Sequence, residues 1–282
     1  MQEPLDIGEI VLHHAADAYS IGIEPYFMFE WHKLDALQFG PFNLTPSRHV
    51  IFMVIAALLV FLNMRIAGQK LQKQRASENA PKGFANAIEA MVLFVRNDIA
   101  IANIGHDGAK FAPLILTLFC FILYMNLLGL VPHGATATGN IAVTAGLAVI
   151  SVLAIEISGF LKLGPAGYMR TIFPKVPGLS GAGAAAMSIF MAPIEIIGKL
   201  VKPFALCVRL FGNMTAGHFV ILSLLGIIFL FGHLPFWHWG IGIITAALVL
   251  GIMILELFVG LLQAYVFALL TAVFIGLMQH EH

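Results

Sequence analysis

FAPLILTLFCFILYMNLLGLV, residues 111–131, runs for 21 positions without one charged side chain. About twenty apolar residues are what a helix needs to cross the hydrocarbon of a bilayer. Two further stretches read the same way: HVIFMVIAALLVFLNMRI at 49–66, and residues 140–161, whose single acid is Glu156. The whole chain agrees with them, since 60% of its 282 residues are hydrophobic and only 11% are charged. Soluble domains run nearer a quarter charged, so this chain has too little polar surface to coat a globule in water. The fold class that follows is an all-α integral membrane protein.

Two later stretches are too long for one upright crossing. Residues 187–231 make 45 positions and 240–279 make 40. At about 1.5 Å per residue, such helices reach roughly 60 Å or more, twice the hydrocarbon thickness. Pro193 and Pro203 permit a kink in the first, but the second has no proline and no polar turn. A long, strongly tilted pair is therefore expected. FANAIEAMVLFVRNDIAIANIG at 84–105 differs again, with Phe84, Ile88, Met91, Val95 and Ile99 near helical spacing and Asn86, Glu89, Arg96 and Asn97 interleaved. It reads as an amphipathic helix on the membrane surface, with a buried short span as the alternative. The architecture is then about five membrane-embedded helices plus this one. A membrane domain at 49–282 follows an external N-terminal segment at 1–48.

Orientation follows from the cations. Arg65, Lys70, Lys73, Arg75 and Lys82 come after the first span, and Lys162, Arg170 and Lys175 after the third, while 132–140 and 232–239 hold no Lys or Arg. The positive-inside rule puts 65–110, 162–186 and the C-terminus in the cytoplasm. The first 48 residues, with seven acids and two bases, fall outside. MQEPLDIGEI lacks an apolar core, so no cleavable signal peptide is expected and the spans direct insertion. GLSGAGAAA at 178–186 reads as a flexible cytoplasmic connection. A formal net charge of zero argues against nucleic acid as a partner. Cys120 and Cys207 suggest neither a disulfide framework nor a metal knuckle.

Five charges interrupt the last two apolar stretches: Glu195, Lys199, Lys202, Arg209 and Glu256. Ionisable groups in a membrane are costly and mark function. Lys199 and Lys202 lie near the cytoplasmic end and can snorkel to the interface. Glu195 either pairs with Lys199 one turn on or serves proton access. Arg209 stands 22 residues from either end of its stretch, with no acid within a turn or two. A guanidinium does not lower its cost by losing a proton, so a carboxylate on another chain is expected to meet it. At about 100° per residue, Glu195, Lys202 and Arg209 share a face, Asn213 follows one turn on, and His218 falls opposite. On the last helix Glu256 and Gln263 share a face. His218 and Glu256, a titratable imidazole and an acid, read as a proton relay, with a pair serving only as structural glue as the alternative.

RLFGNMTAGH at 209–218, PIEIIGKLVKP at 193–203, LQAYVF at 262–267 and MNLLGLVP at 125–132 resemble, in order, segments of subunit a of the F-type ATP synthase. The resemblance covers about residues 45 to 280. Some bacterial members carry an acid where this chain has His218 and a histidine where it has Glu256; the pair here resembles the exchanged version. The resemblance implies a non-catalytic, proton-conducting stator subunit in the inner cell membrane. Its partners would be a ring of c subunits with buried carboxylates, the b subunits of the peripheral stalk and the rest of the ATP synthase. Arg209 would separate two offset half-channels, with Glu195, Asn213, His218, Glu256 and Gln263 on the proton path, and no cofactor or metal is implied.

Two rivals make different demands. A proton-coupled secondary transporter calls for repeated halves with broken helices, and no repeat is found. An intramembrane hydrolase calls for HExxH or GxSxG, and neither is present. His233 and His238, beside Trp237 and Trp239, read as interface anchoring.

Overall fold

A computed structural model describes residues 20–23, 27–30, 38–39, 42–43, 46–76, 83–131, 136–173, 182–231 and 238–280. Most of the external segment, the anchoring loop with His233 and Trp237, Lys82, Lys175 and the Gly178–Gly181 half of the Gly/Ala run lie outside these residues. N-terminal to the helices, β1 (Ser20–Ile23) pairs antiparallel with β2 (Phe27–Glu30), and β3 (Gln38–Phe39) with β4 (Phe42–Asn43).

The membrane domain is helical. Its elements are α1 (Arg48–Ala76), α2 (Phe84–Phe94), a π-helical segment (Val95–Ile101), α3 (Ala102–Ile104), α4 (Gly108–Gly129), α5 (Ile141–Ile172), α6 (Ala182–Phe231) and α7 (His238–His280). Among the described residues, five helices are long and apolar enough to cross a membrane: α1, α4, α5, α6 and α7. With no water in hydrocarbon to satisfy backbone N–H and C=O groups, the helix satisfies them internally.

α6 runs continuously for 50 residues through Pro193 and Pro203, and α7 for 43. At about 1.5 Å per residue, both exceed twice the hydrocarbon depth, which a membrane helix accommodates by inclining. α6 begins at Ala182, so residues 182–186 are helix and not flexible connection. The reason is local: alanine has the highest helix propensity of any residue, and four of those five are alanine. α5 is interrupted at Gly164, whose φ of 68° a residue with a Cβ rarely adopts. Pro165 then opens the last turns, the order in which a helix commonly ends and another starts.

Contacts group the chain into two compact units. One holds the residues up to Asn63, then Phe121–Ile141 and Leu210–Gln263; the other holds Met64–Cys120, Ala142–Arg209 and Ala264–His282. In the second unit the 84–105 segment is amphipathic in a graded way. Phe84, Leu93 and Phe94 are exposed, whereas Val95, Ile99, Ala100 and Ile104 are buried. The π segment, Val95–Ile101, carries three of the buried residues, Val95, Ile99 and Ala100, and Ala85 is buried before it. Phe94 stacks on Tyr265 at 6.0 Å, and the Asn103 carbonyl sits where a Cβ at Gly276 would be.

Asp107 closes the turn before α4 by accepting from Lys110 Nζ (2.8 Å) and Lys162 Nζ (2.5 Å). Hydrogen bonds from Lys110 and Lys162 hold its carboxyl down at about 2, against an ordinary 3.8. A depressed carboxyl stabilises fully above its ordinary value and loses that contribution as the pH falls through the lowered one, so the link is complete at neutral pH. Asp107→Asn is expected to leave the chain inserted. It should speed amide hydrogen exchange in the Gly105–Gly108 turn roughly twofold to fivefold at neutral pH, the scale of an exposed ion pair. Equal exchange in both proteins would show that the link does not hold the turn.

Candidate functional site

In the first unit, polar groups converge on α6 and α7. His218 Nε2 lies 3.8 Å from Glu256 Oε1, and the Thr136 hydroxyl is hydrogen-bonded to the same nitrogen. His49 Nδ1, at the start of α1, donates to the Thr136 carbonyl at 3.0 Å. Glu256 is only 3% exposed, and neither of its oxygens has a hydrogen bond among the described residues. An ionised carboxylate is expensive in an apolar interior, and a titratable imidazole stands beside this one. Gly217 makes it possible: a Cβ there would stand 2.8 Å from Glu256 Oε1.

A second set lies further along α7. Asn213 Nδ2 donates to Gln263 Oε1 at 3.0 Å, with Gln263 buried. Asn126 Nδ2 donates to the Gly260 carbonyl at 3.0 Å, and Thr138 Oγ1 donates to Asn126 Oδ1 at 2.8 Å. Gly260 lies between Glu256 and Gln263 in sequence, so this amide fixes the stretch of α7 that carries both. Asn126, Thr136, Thr138 and His49 were not singled out from sequence. The available signal was Asn126 itself, the one amide side chain in residues 111–131.

The second unit has its own polar cluster. Lys199 Nζ is 3.6 Å from Glu156 Oε2, donates to Thr171 Oγ1 at 3.0 Å and sits 4.8 Å from the centre of the Tyr168 ring. Tyr168 donates its hydroxyl to the same Glu156 oxygen at 2.5 Å. Lys199 thus binds Glu156 and not Glu195, contrary to the helical spacing, because partners on α5 outnumber the one on its own helix. Lys202 lies 5.0 Å over the Phe274 ring. Glu195, half-buried, lines a cavity of about 30 Å³ together with Glu156, Lys199 and Lys202. That volume has room for water.

Arg209 is the last α6 residue of this second unit, and Leu210 opens the first. α6 buries Leu206, Cys207, Leu210 and Met214 and turns Arg209 outward, beside exposed Ala205, Asn213 and Ala216. No hydrogen bond or ion pair joins Arg209 to another described residue. The geometry therefore brings His218 to Glu256 and Asn213 to Gln263, and leaves Glu195 and Arg209 each without a described ionic partner.

Comparison with known sequences gives a consistent result. The family described as ATP synthase A chain matches residues 50–276. ATP synthase subunit a of Chloroherpeton thalassium is 44% identical over 271 residues, covering 96% of this chain and 77% of the relative. ATP synthase subunit a 2 of Chlorobaculum tepidum is 43% identical over 270 residues, covering 96% and 72%. ATP synthase subunit a of Anaeromyxobacter dehalogenans is 41% identical over 282 residues, covering 96% and 69%.

Proposed function

Since the chain belongs to the ATP synthase A chain family and is a multi-pass membrane-sector subunit, we propose that it is the non-catalytic, proton-conducting stator of that sector, with Arg209 between two offset half-channels. The observation that carries this reading is Arg209: a permanent cation on an apolar helix, turned outward among small side chains, with no described partner. Small residues let another helix approach closely, and a guanidinium in hydrocarbon calls for a carboxylate. A rotating ring of c subunits with buried acids supplies one. The b subunits of the peripheral stalk hold the stator against it.

His218 and Glu256 pass protons from the outer side, and Asn213 and Gln263 flank the point of transfer. Once protonated, a ring carboxylate is neutral and can enter lipid, where its charge would cost several kcal/mol. At the second half-channel, lined by Glu195, the proton leaves to the cytoplasm. Arg209 favours the ionised carboxylate between the two and blocks a direct leak. The N-terminus lies outside and the C-terminus in the cytoplasm, as the distribution of Lys and Arg supports.

The tagged chain purified from membranes is expected to bring a c ring and the peripheral ATPase with it; a chain that purifies only with itself would overturn the reading. Within that complex, Gln263→Leu removes the hydrogen bond to Asn213 and should slow ATP-driven proton pumping up to roughly tenfold, the upper scale of one hydrogen bond. Glu195→Gln should slow it less, because water still reaches the cavity. Normal pumping in both would place the proton path elsewhere.

A further inference from the structure

We propose that Glu156 is a positioning residue for proton release: it holds the Lys199 ammonium away from Glu195. The inference rests on Glu195 being the carboxylate of the cytoplasmic half-channel. Lys199 follows Glu195 by four residues on α6, the spacing and order in which an acid and a lysine pair best on a helix. The structure does not contain that pair. The ammonium is instead 3.6 Å from Glu156, bonded to Thr171 and over the Tyr168 ring, all three supplied by α5. Tyr168 in turn anchors the Glu156 oxygen that Lys199 approaches.

Among the described residues, three other ionisable groups line the cavity of Glu195. Glu156, Lys199 and Lys202 line the same cavity, while α7 contributes only Phe274, Leu277 and Met278. Lys202 is drawn to the Phe274 ring. With Lys199 held by Glu156, no described cation pairs with Glu195. A group that accepts and gives up a proton at each step works poorly against a contacting ammonium, which holds it ionised. Without the Glu156 charge, Lys199 has one carboxylate within a helical turn, and that carboxylate is Glu195.

The test uses the complete ATP synthase in inverted membrane vesicles, with ATP-driven proton pumping recorded against pH and normalised to assembled complex. In this direction the cytoplasmic half-channel takes protons up. Glu156→Gln is expected to slow pumping and to move the alkaline limb of the profile about one pH unit toward acid, the low end of what a contacting opposite charge produces. Adding Lys199→Met to it should return the limb toward its wild-type position, which loss of packing alone would not do. If Glu156→Gln does not assemble, Glu156→Asp, whose shorter arm draws back from Lys199, should give a smaller shift in the same direction. An unshifted limb, or a double variant no better than Glu156→Gln, overturns the proposal. If Glu195→Gln slows pumping in the same assay while Glu156→Gln leaves it normal, only the positioning role fails. If Glu195→Gln is also normal, the reading of Glu195 fails with it.

Discussion

Arg209→Ala is expected to abolish proton-driven ATP synthesis while the protein remains inserted and assembled. Insertion should survive because the change removes an intramembrane charge and touches neither buried neighbour, Cys207 or Leu210. Function should not, because the nearest described cation on α6, Lys202, lies about two turns away and sits 5.0 Å over the Phe274 ring. On the proposed mechanism, a ring carboxylate without the guanidinium has nothing to stabilise its charge between the half-channels. The expected loss is on the order of a hundredfold or more, equivalent to about 2.7 kcal/mol of barrier. Arg209→Lys should fail too, since an ammonium next to an apolar ring can lose its proton and lacks the planar fork that meets a carboxylate with two parallel bonds. The measurement is ATP synthesis in energised inverted vesicles, with the chain quantified in the same membranes. Synthesis near the wild-type rate in the alanine variant would remove Arg209 from the mechanism.

The second large effect concerns His218 and Glu256. Replacing either with alanine leaves the other without the titratable neighbour 3.8 Å away. The loss of pumping should be on the order of a hundredfold, the lower part of the range for a positioned proton-transfer group. Residues that act as one relay are not additive, so the double alanine variant should lose little more than the worse single one. The exchange His218→Glu with Glu256→His keeps an acid and an imidazole in one place, and should recover more pumping than either half alone. Independent single effects, with no rescue by exchange, would separate the two residues. The Thr136 hydroxyl sharpens the expectation, since it fixes the imidazole nitrogen that faces Glu256.

The residues of these two sites stood out in the sequence because each is a charged or titratable group inside a long apolar stretch. Arg209 stands out by the length of apolar chain on both sides, and length also identifies the five spanning helices. His218 and Glu256 stood out as an imidazole and an acid inside apolar stretches, and the structure places them 3.8 Å apart. Contacts made by packing left no such mark. His49 reaches Thr136 across 87 positions and Asn126 reaches Gly260 across 134, and no repeat or spacing encodes either. Lys199 shows the limit most directly: the helical rule favours Glu195, yet a carboxylate, a hydroxyl and a ring from α5 outweigh it. Likewise the stripe on residues 84–105 was visible, but the burial of its second half depends on its neighbours in the fold.

The hydrogen that stands for a side chain at Gly217 ties two positions into one unit of inheritance. A methyl there would meet the Glu256 side chain, with Oε1 at 2.8 Å, Cδ at 2.9 Å and Cγ at 3.4 Å, and that flexible side chain can swing aside. Alanine at 217 would therefore be tolerated as architecture and felt as a displaced acid, a defect that stability screens would miss. A lineage acquiring it would be under pressure to change residue 256 as well, toward a group of different length or shape. Drift at 217 and drift at 256 should then appear together in descendants of this chain, while the apolar positions around them vary independently.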